Sequence, residues 1–392
     1  MAWELASFSA DLLPDRIEVE GAEVEIVRSG EPVRLTHVLD AVEPRIRPDG
    51  RAAFPTEPPA GRGRTHRLDG VVILSCLDFA ADERPLHEQE SIVDLAGPGA
   101  AYTPFADETC VVLTFRPGHG TNEEAEAAAR RITLQVAEEL ARPTLEAEPQ
   151  HVESFELRDV EGDLPRVAAL IQLSDLGPLY YQFVYATPAG EAGLPRAIDP
   201  AELLDGAVTS GEYHWAAMRN PSIFFQRSEL VRALYREHGR RLVFAGVVLM
   251  RGYEQSSVDK QRAAEAAAEV AGRLGAEGVV ITTDAGGNSH TDVMLTCRAC
   301  ERSGIRTTVV LAEETDPEST RPILTDWVPE ADSIVSTGNV EELVEEWKPE
   351  RVVGGDTLLD GTDAANAGPI PVRNYLGAAN QMGQLALGAR TE

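Results

Sequence analysis

Cysteine is scarce in this chain: four in 392 residues, Cys76, Cys110, Cys297 and Cys300. They are too few and too scattered for a disulfide framework, which fits a reducing compartment. Long apolar runs are missing too. Although 43% of residues are hydrophobic, no stretch approaches the roughly eighteen consecutive apolar residues that a membrane-spanning helix needs. The opening MAWELASFSADLLPD lacks the basic-then-apolar order of a signal peptide, so a cytoplasmic location is expected. Positive charge is short as well, since 35 Lys and Arg against 65 Asp and Glu leave a formal charge of -30. Such a field repels the phosphates of nucleic acids and anionic lipid surfaces, so no nucleic acid and no membrane is expected as a partner. At the least, the surplus of acid keeps the chain soluble. Finally, there is no GxGxxG, no Walker loop and no HExxH, and nothing calls for a nucleotide cofactor or a metal.

What is present divides in two. The chain is longer than one core usually organises, so two domains are expected, divided near residues 187 to 241. Between Ile17 and Phe115 short apolar runs (VEIV, VRLTHVL, VVILSCL, CVVLTF) alternate with Gly, Pro and charged turns, the punctuation of strands. NEEAEAAARRITLQVAEELA at 122 to 141 carries an apolar stripe at helical spacing, capped by Thr121 or Asn122 and ended by Arg142-Pro143, and reads as a helix. RVAALIQLS at 166 to 174 and LYYQFVYA at 179 to 186 read as buried strands of this first half. Past residue 241 the rhythm changes. Apolar runs at 242 to 250, 276 to 284 and 305 to 312 alternate with helical patterns at 258 to 275 and 291 to 303, which means βαβ units around a parallel sheet. DSIVST at 332 to 337, an acidic helix VEELVEEW at 340 to 347 and RVVGG at 351 to 355 are expected to continue it. The fold class is therefore α/β: a mixed α+β N-terminal domain (1-200), a connecting segment (201-240) and a Rossmann-like parallel-sheet C-terminal domain (241-392).

Three stretches have the composition of sites. In TCRAC, Cys297 and Cys300 stand at i and i+3 on a predicted helix, more than a turn inside it. Buried structural thiols are favoured there, because the pair lacks the helix N-terminus that lowers a thiol pKa and the two further ligands a zinc ion needs. DAGGNSHTD at 284 to 292 follows a strand end, where ligands sit in open parallel sheets. Its backbone N–H groups at Gly286 and Gly287 could hold a carboxylate or phosphate, with Asn288, His290 and Asp292 beside them. The same stretch also reads as a plain strand-to-helix turn capped by Ser289 or Thr291. The third stretch is SGEYHWAAMRNPSIFF. Aromatic residues form 6% of the chain, yet Tyr213, Trp215, Phe224 and Phe225 are four of thirteen consecutive residues, so the rings either converge on a ligand or make a packed corner.

Taken in order, VRLTHVLDAVEPRI, GRGRTHRLDG, GPGAAYTPF, LLDGAVTSG, LYREHGRRLVFAGVV, DAGGNSHTDVMLTCRACERSGIRTT and STGNVEEL resemble the alpha/beta precursor of the substrate-specific component B of the glycine, sarcosine and betaine reductases. The resemblance implies a precursor that breaks its own chain before a cysteine just after the Ser-Gly turn, converting that cysteine to a pyruvoyl group. It also implies a companion component B subunit with a catalytic Cys or selenocysteine that displaces the substrate's amine from the α-carbon. This chain departs from the pattern at the decisive place: the cysteine position falls on Tyr213, and that of a second, later cysteine on Ala217. Tyrosine cannot rearrange through an ester and lose its side chain. No pyruvoyl cofactor is therefore expected.

A quaternary ammonium substrate cannot form a Schiff base and does not need one. It would instead want aromatic faces, each good cation-π contact being worth about 0.5–2 kcal/mol. Tyr213, Trp215 and Phe224 could supply them, with Glu212 adding negative charge, Ser210 and His214 adjoining, and the DAGGN turn holding the substrate carboxylate. Tyr213, Glu212 and His214 are then the candidate catalytic residues, and Ser210, Trp215, Gly286, Gly287, Asn288, His290 and Asp292 the candidate substrate-binding ones. Two readings follow. One is a subunit of a reductase-type complex that presents a small zwitterionic acid to a thiol or selenol on its partner; the other is an unprocessed scaffold or regulatory subunit of such a complex. An independent enzyme using Cys297 is a third, with no base placed by sequence.

Overall fold

The computed structural model describes residues 2–78, 90–116, 122–175, 182–211, 216–315, 324 and 326–383. Its largest sheet has six strands, in the order Arg196–Ile198, Val243–Arg251, Arg166–Leu173, Gly278–Thr282, Arg306–Glu313 and Ile334–Asn339. The first runs antiparallel at the edge and the other five are parallel. Alternation with period two decides which side each residue faces. Ala168, Leu170, Val248 and Met250 bury against helices Ser257–Arg273 and Asn288–Arg302, where Ala267, Ala271, Val293, Met294 and both Cys297 and Cys300 receive them. Ala169, Ile171, Leu173, Val247 and Leu249 face the opposite way, into a second cluster. Each Val, Leu, Ile or Met side chain so removed from water contributes about 1.5–3 kcal/mol. This two-sided burial is why the strands read as unbroken apolar runs.

The second cluster is shared with the N-terminal part of the chain. There a four-stranded mixed sheet runs in the order Glu23–Val27, Thr109–Phe115, Val71–Leu77, Val38–Val42. One face (Val72, Leu74, Cys76, Cys110, Val112) enters the shared core. The other (Ile73, Val111, Leu113) is covered by helix Asn122–Ala141 through Ala129, Val136, Ala137 and Leu140. The helix, the N-terminal strands and the βαβ rhythm past residue 241 stand where the sequence puts them. Helix Asn288–Arg302 begins about one turn earlier than its periodicity suggests.

Three elements differ. Arg166–Leu173, expected among the strands of the first half, lies inside the parallel sheet between Val243–Arg251 and Gly278–Thr282. A strand buried on both faces carries no local mark of which sheet it joins. The acidic helix expected at 340 to 347 is absent; Leu343–Val344 forms a short strand paired with Ile370–Pro371. Distant contacts outweigh the helical propensity there, since the Trp347 indole N–H donates to Asp94 at 2.8 Å and the Arg34 guanidinium lies 5.7 Å from the centre of that ring. RVVGG does not extend the large sheet either, because Arg351–Val353 pairs in parallel with Val33–Leu35. Of LYYQFVYA, residues 182 to 184 form a strand, and 179 to 181 lie outside the described residues. Among the described residues no helix is long and apolar enough to cross a membrane.

Candidate functional site

The two sheets meet around the segment that follows strand Val208–Ser210. Residues 212 to 215, and with them Glu212, Tyr213, His214 and Trp215, lie outside the described residues, but both flanks of this stretch are fixed. On the near side the Ser210 N–H donates to Ser222 Oγ at 2.8 Å, and Ser222 in turn donates through its own N–H, at 2.8 Å, and its hydroxyl to Asp40. On the far side the backbone N–H and the side-chain amide of Asn220 both donate to Asp284 Oδ1 at 2.8 Å. The Ser174 hydroxyl donates to the other oxygen of Asp284. Asp40 belongs to strand Val38–Val42 of the N-terminal sheet, whereas Asp284 follows strand Gly278–Thr282 of the parallel sheet. One buried carboxyl from each sheet therefore pins one end of the loop. Burial, partly offset by these hydrogen bonds, pushes both carboxyls up to about 6; desolvation disfavours the charged form.

Past the loop, Ala216 and Ala217 accept N–H bonds from Gly377 and Ala379 at 2.7 and 2.8 Å. Arg219, 1% exposed, donates to the Val38 carbonyl at 3.0 Å and to Ser91 Oγ at 3.2 Å. The Met218 carbonyl accepts the Ala285 N–H at 2.9 Å. That bond joins Met218 to the DAGGN turn, 67 residues further along the sequence, at the carboxyl ends of the parallel strands.

The turn itself is built differently from its expected use. The Gly287 N–H, at the start of helix Asn288–Arg302, donates to Glu314 Oε1 at 3.2 Å, so the chain's own carboxylate stands where an anion was expected. A Cβ on Gly286 would lie 2.4 Å from Glu314 Oε1 and 2.5 Å from Met218 Sδ, so a larger residue here would require both side chains to move. His290 is wholly buried, with neither ring nitrogen hydrogen-bonded among the described residues and Nδ1 3.7 Å from Glu314 Oε1. Burial pushes it down to about 4, so it is neutral at pH 7. Asp292 is engaged by Lys260 Nζ and the Tyr253 N–H, both at 2.8 Å, and joins helix to helix. Asn288 is exposed, and its carbonyl faces Lys260 Nζ at 3.4 Å. Ser210 is buried, and its hydroxyl has no partner among the described residues.

The rings separate. Phe224 and Phe225 are 0% exposed in the shared core, Phe224 lying 6.3 Å from Phe105 and so close to Gly377 that a Cβ there would come within 2.5 Å. Phe224 is a core residue, an apolar ring on the buried side of a short helix. Asp40 and Ser174 were not foreseen as site residues; the signal for Asp40 was a charge inside the apolar run HVLDAV.

The cysteines form no reactive centre. All four are buried and unpaired as disulfides, and burial raises every thiol pKa, that of Cys300 to about 12. Cys297 shares a hydrogen bond with Thr307 Oγ1 at 3.1 Å. Among the described residues no cluster of three His, Cys, Asp or Glu could hold a metal ion. The segment from Asp205 to Pro221 contains no cysteine, the residue type from which the family resemblance derives a pyruvoyl group.

Comparison with known proteins gives this arrangement a setting. The family described as glycine/sarcosine/betaine reductase component B subunits matches residues 9–374. The sarcosine reductase complex component B subunit alpha of Peptoclostridium acidaminophilum is 30% identical over 386 residues, covering 95% of this chain and 86% of that protein. The betaine reductase complex component B subunit alpha of the same organism is 32% identical, covering 91% and 83%. The glycine reductase complex component B subunits alpha and beta of Acetoanaerobium sticklandii are 28% identical, covering 95% and 90%. No solved structure matches. With the family matched over nearly its whole length, the chain belongs to the glycine/sarcosine/betaine reductase component B subunits.

Proposed function

We propose that this chain is the substrate-binding subunit of a component-B-type complex, and that it holds a small amino acid or quaternary ammonium acid for attack by a thiolate or selenolate on a companion subunit. The observation that carries this reading is the loop flanked by Ser210 and Ala216, held between the two sheets by Asp40 and Asp284. In sequence its middle, Glu212 to Trp215, falls where the family resemblance puts the reacting group. Tyr213 and Trp215 offer aromatic faces to a cationic head, and Glu212 adds an opposite charge. With glycine betaine the chemistry balances without a prosthetic group. The partner's thiolate forms a bond to the α-carbon, the carbon–nitrogen bond breaks, and its electron pair leaves with neutral trimethylamine. No proton, oxidant or Schiff base is required. Loss of the cysteine at Tyr213 also favours a second reading, in which the subunit has kept its partner interface and lost turnover.

Both readings require an uncleaved chain, because Tyr213 has no nucleophile in reach of the carbonyl that precedes it. Mass spectrometry of the purified protein is expected to give one species near 42.3 kDa; two fragments summing to that mass, with a blocked new terminus at residue 213, would overturn this. The two readings part on binding. If the first holds, glycine betaine at a hundredfold excess over its dissociation constant stabilises the fold by about 2.7 kcal/mol. Equal melting temperatures with betaine, sarcosine, glycine and buffer would leave only the second.

A further inference from the structure

We propose that helices Ser257–Arg273 and Asn288–Arg302 form the face on which a second copy of this chain docks, the two copies being related by a two-fold axis that runs along the groove between the helices. One side of the parallel sheet is taken by the core shared with the N-terminal sheet, and these helices cover the other. Each leads from the carboxyl end of one parallel strand to the start of the next on the same side, so the two run side by side in one direction. Between them lies an open groove of about 300 Å³, floored by Ala264, Ala268, Leu295 and Ala299. It continues past Gly272 and Ser303 toward Ile305. Val258, 53% exposed, stands two turns before Glu265 on the same face of the first helix and extends the apolar surface.

The distribution of charge on this face selects its occupant. The wall supplied by the first helix carries Glu265 and, one turn further along, Glu269; the wall supplied by the second carries Arg298 and Arg302. Glu265 flanks the same stretch of groove as the two arginines. A face split into an acidic and a basic row complements itself when a copy is turned by 180° about an axis along the helices. That rotation lays the first helix of each copy over the second helix of the other, and acid meets base twice at one level. An axis across the helices would lay each over its own equivalent and oppose like charges. Two chains of charge -30 repel at long range, so an undirected contact between them is unfavourable, and the basic row is where the acidic row of another copy can be received. Within one chain Glu269 pairs with Arg273 and Arg302 with Glu330. Such surface pairs contribute little and can re-form across the interface. Because the axis is parallel to the strands, the carboxyl ends of both sheets, with Asp284 and the DAGGN turn, face the same side of the pair. Nothing in this contact depends on the substrate proposed above.

Sedimentation velocity of the full chain at micromolar concentration tests the contact. The parent is expected to run as a dimer of 42.3 kDa chains. The variant E265R/E269R sets base against base and R298E/R302E sets acid against acid, so each alone is expected to run as a monomer. Mixed in equal amounts, the two variants are expected to recover the dimer, because both rows then meet their opposites. Mixing does not repair a damaged fold, and melting curves of each variant report such damage. Should R298E/R302E fold poorly beside Glu330, E265R/E269R, whose side chains are exposed, must still give a monomer. A monomeric parent, a dimer that survives E265R/E269R, or two folded monomeric variants that do not pair on mixing would overturn the proposal.

Discussion

A chain with alanine at position 284 is expected to lose about 3–5 kcal/mol of stability, the magnitude typical of orphaning a buried hydrogen-bonded network, and to bind ligand weakly if at all. Three donors converge on the Asp284 carboxyl, the two of Asn220 and the Ser174 hydroxyl. Ser174 is 0% and Asn220 2% exposed, so water cannot replace the lost acceptor without opening the structure. Asn220 lies five residues after Trp215, and freeing it frees the loop. Asp284→Asn keeps the shape and one acceptor oxygen, and should lose less.

The pH dependence of this variant has a definite sign. Burial raises Asp284 to about 6 in the folded state, from an ordinary value of 3.8. The folded chain therefore holds this proton more tightly than the unfolded chain does. The resulting stabilisation is complete below about pH 4 and is lost as pH rises through about 6. Asparagine does not titrate, so the stability of the parent relative to D284N should shrink between pH 4 and pH 7. His290, pushed down to about 4, works in the opposite direction but is present in both chains and cancels. Denaturant titrations of parent, D284N and D284A at pH 4.5 and 7 check both statements. A gap that widens with pH, or a D284A loss below about 1 kcal/mol, a neutral surface substitution's range, would show that Asp284 does not hold the loop.

Much of this architecture was legible because its periodicities are local. Gly278–Thr282 and Arg306–Glu313 announce a parallel sheet by unbroken apolar runs, and the helix between them shows its own spacing. Which strand joins which sheet is not a local property: Arg166–Leu173 satisfies the same pattern in either half, and only its neighbours Val243–Arg251 and Gly278–Thr282 place it. The acidic stretch 340 to 347 shows the converse, where good helix formers yield to a distant pairing and to the Trp347–Asp94 bond. At the site, the sequence marks the glycines and the aromatic run but not the contacts that define their roles. Nothing near Gly287 in the chain indicates that Glu314 takes its N–H. Asp40 and Asp284 come from opposite sheets, and their joint hold on one loop exists only in three dimensions.

The central claim is a division of labour in which this chain binds the acid and another supplies the nucleophile. A displacement needs the attacking atom held about 3–3.5 Å from the α-carbon, and a thiol attacks as its thiolate. The buried, raised thiols of this chain do not meet that condition. The most direct measurement is trimethylamine release from glycine betaine under reducing conditions, first by the isolated chain and then after adding the proposed companion subunit. The account predicts binding without release by the isolated chain and release once the companion is present. A variant with all four cysteines replaced should give the same release in the reconstituted complex. Release by the isolated chain, abolished by Cys297→Ser, would contradict it.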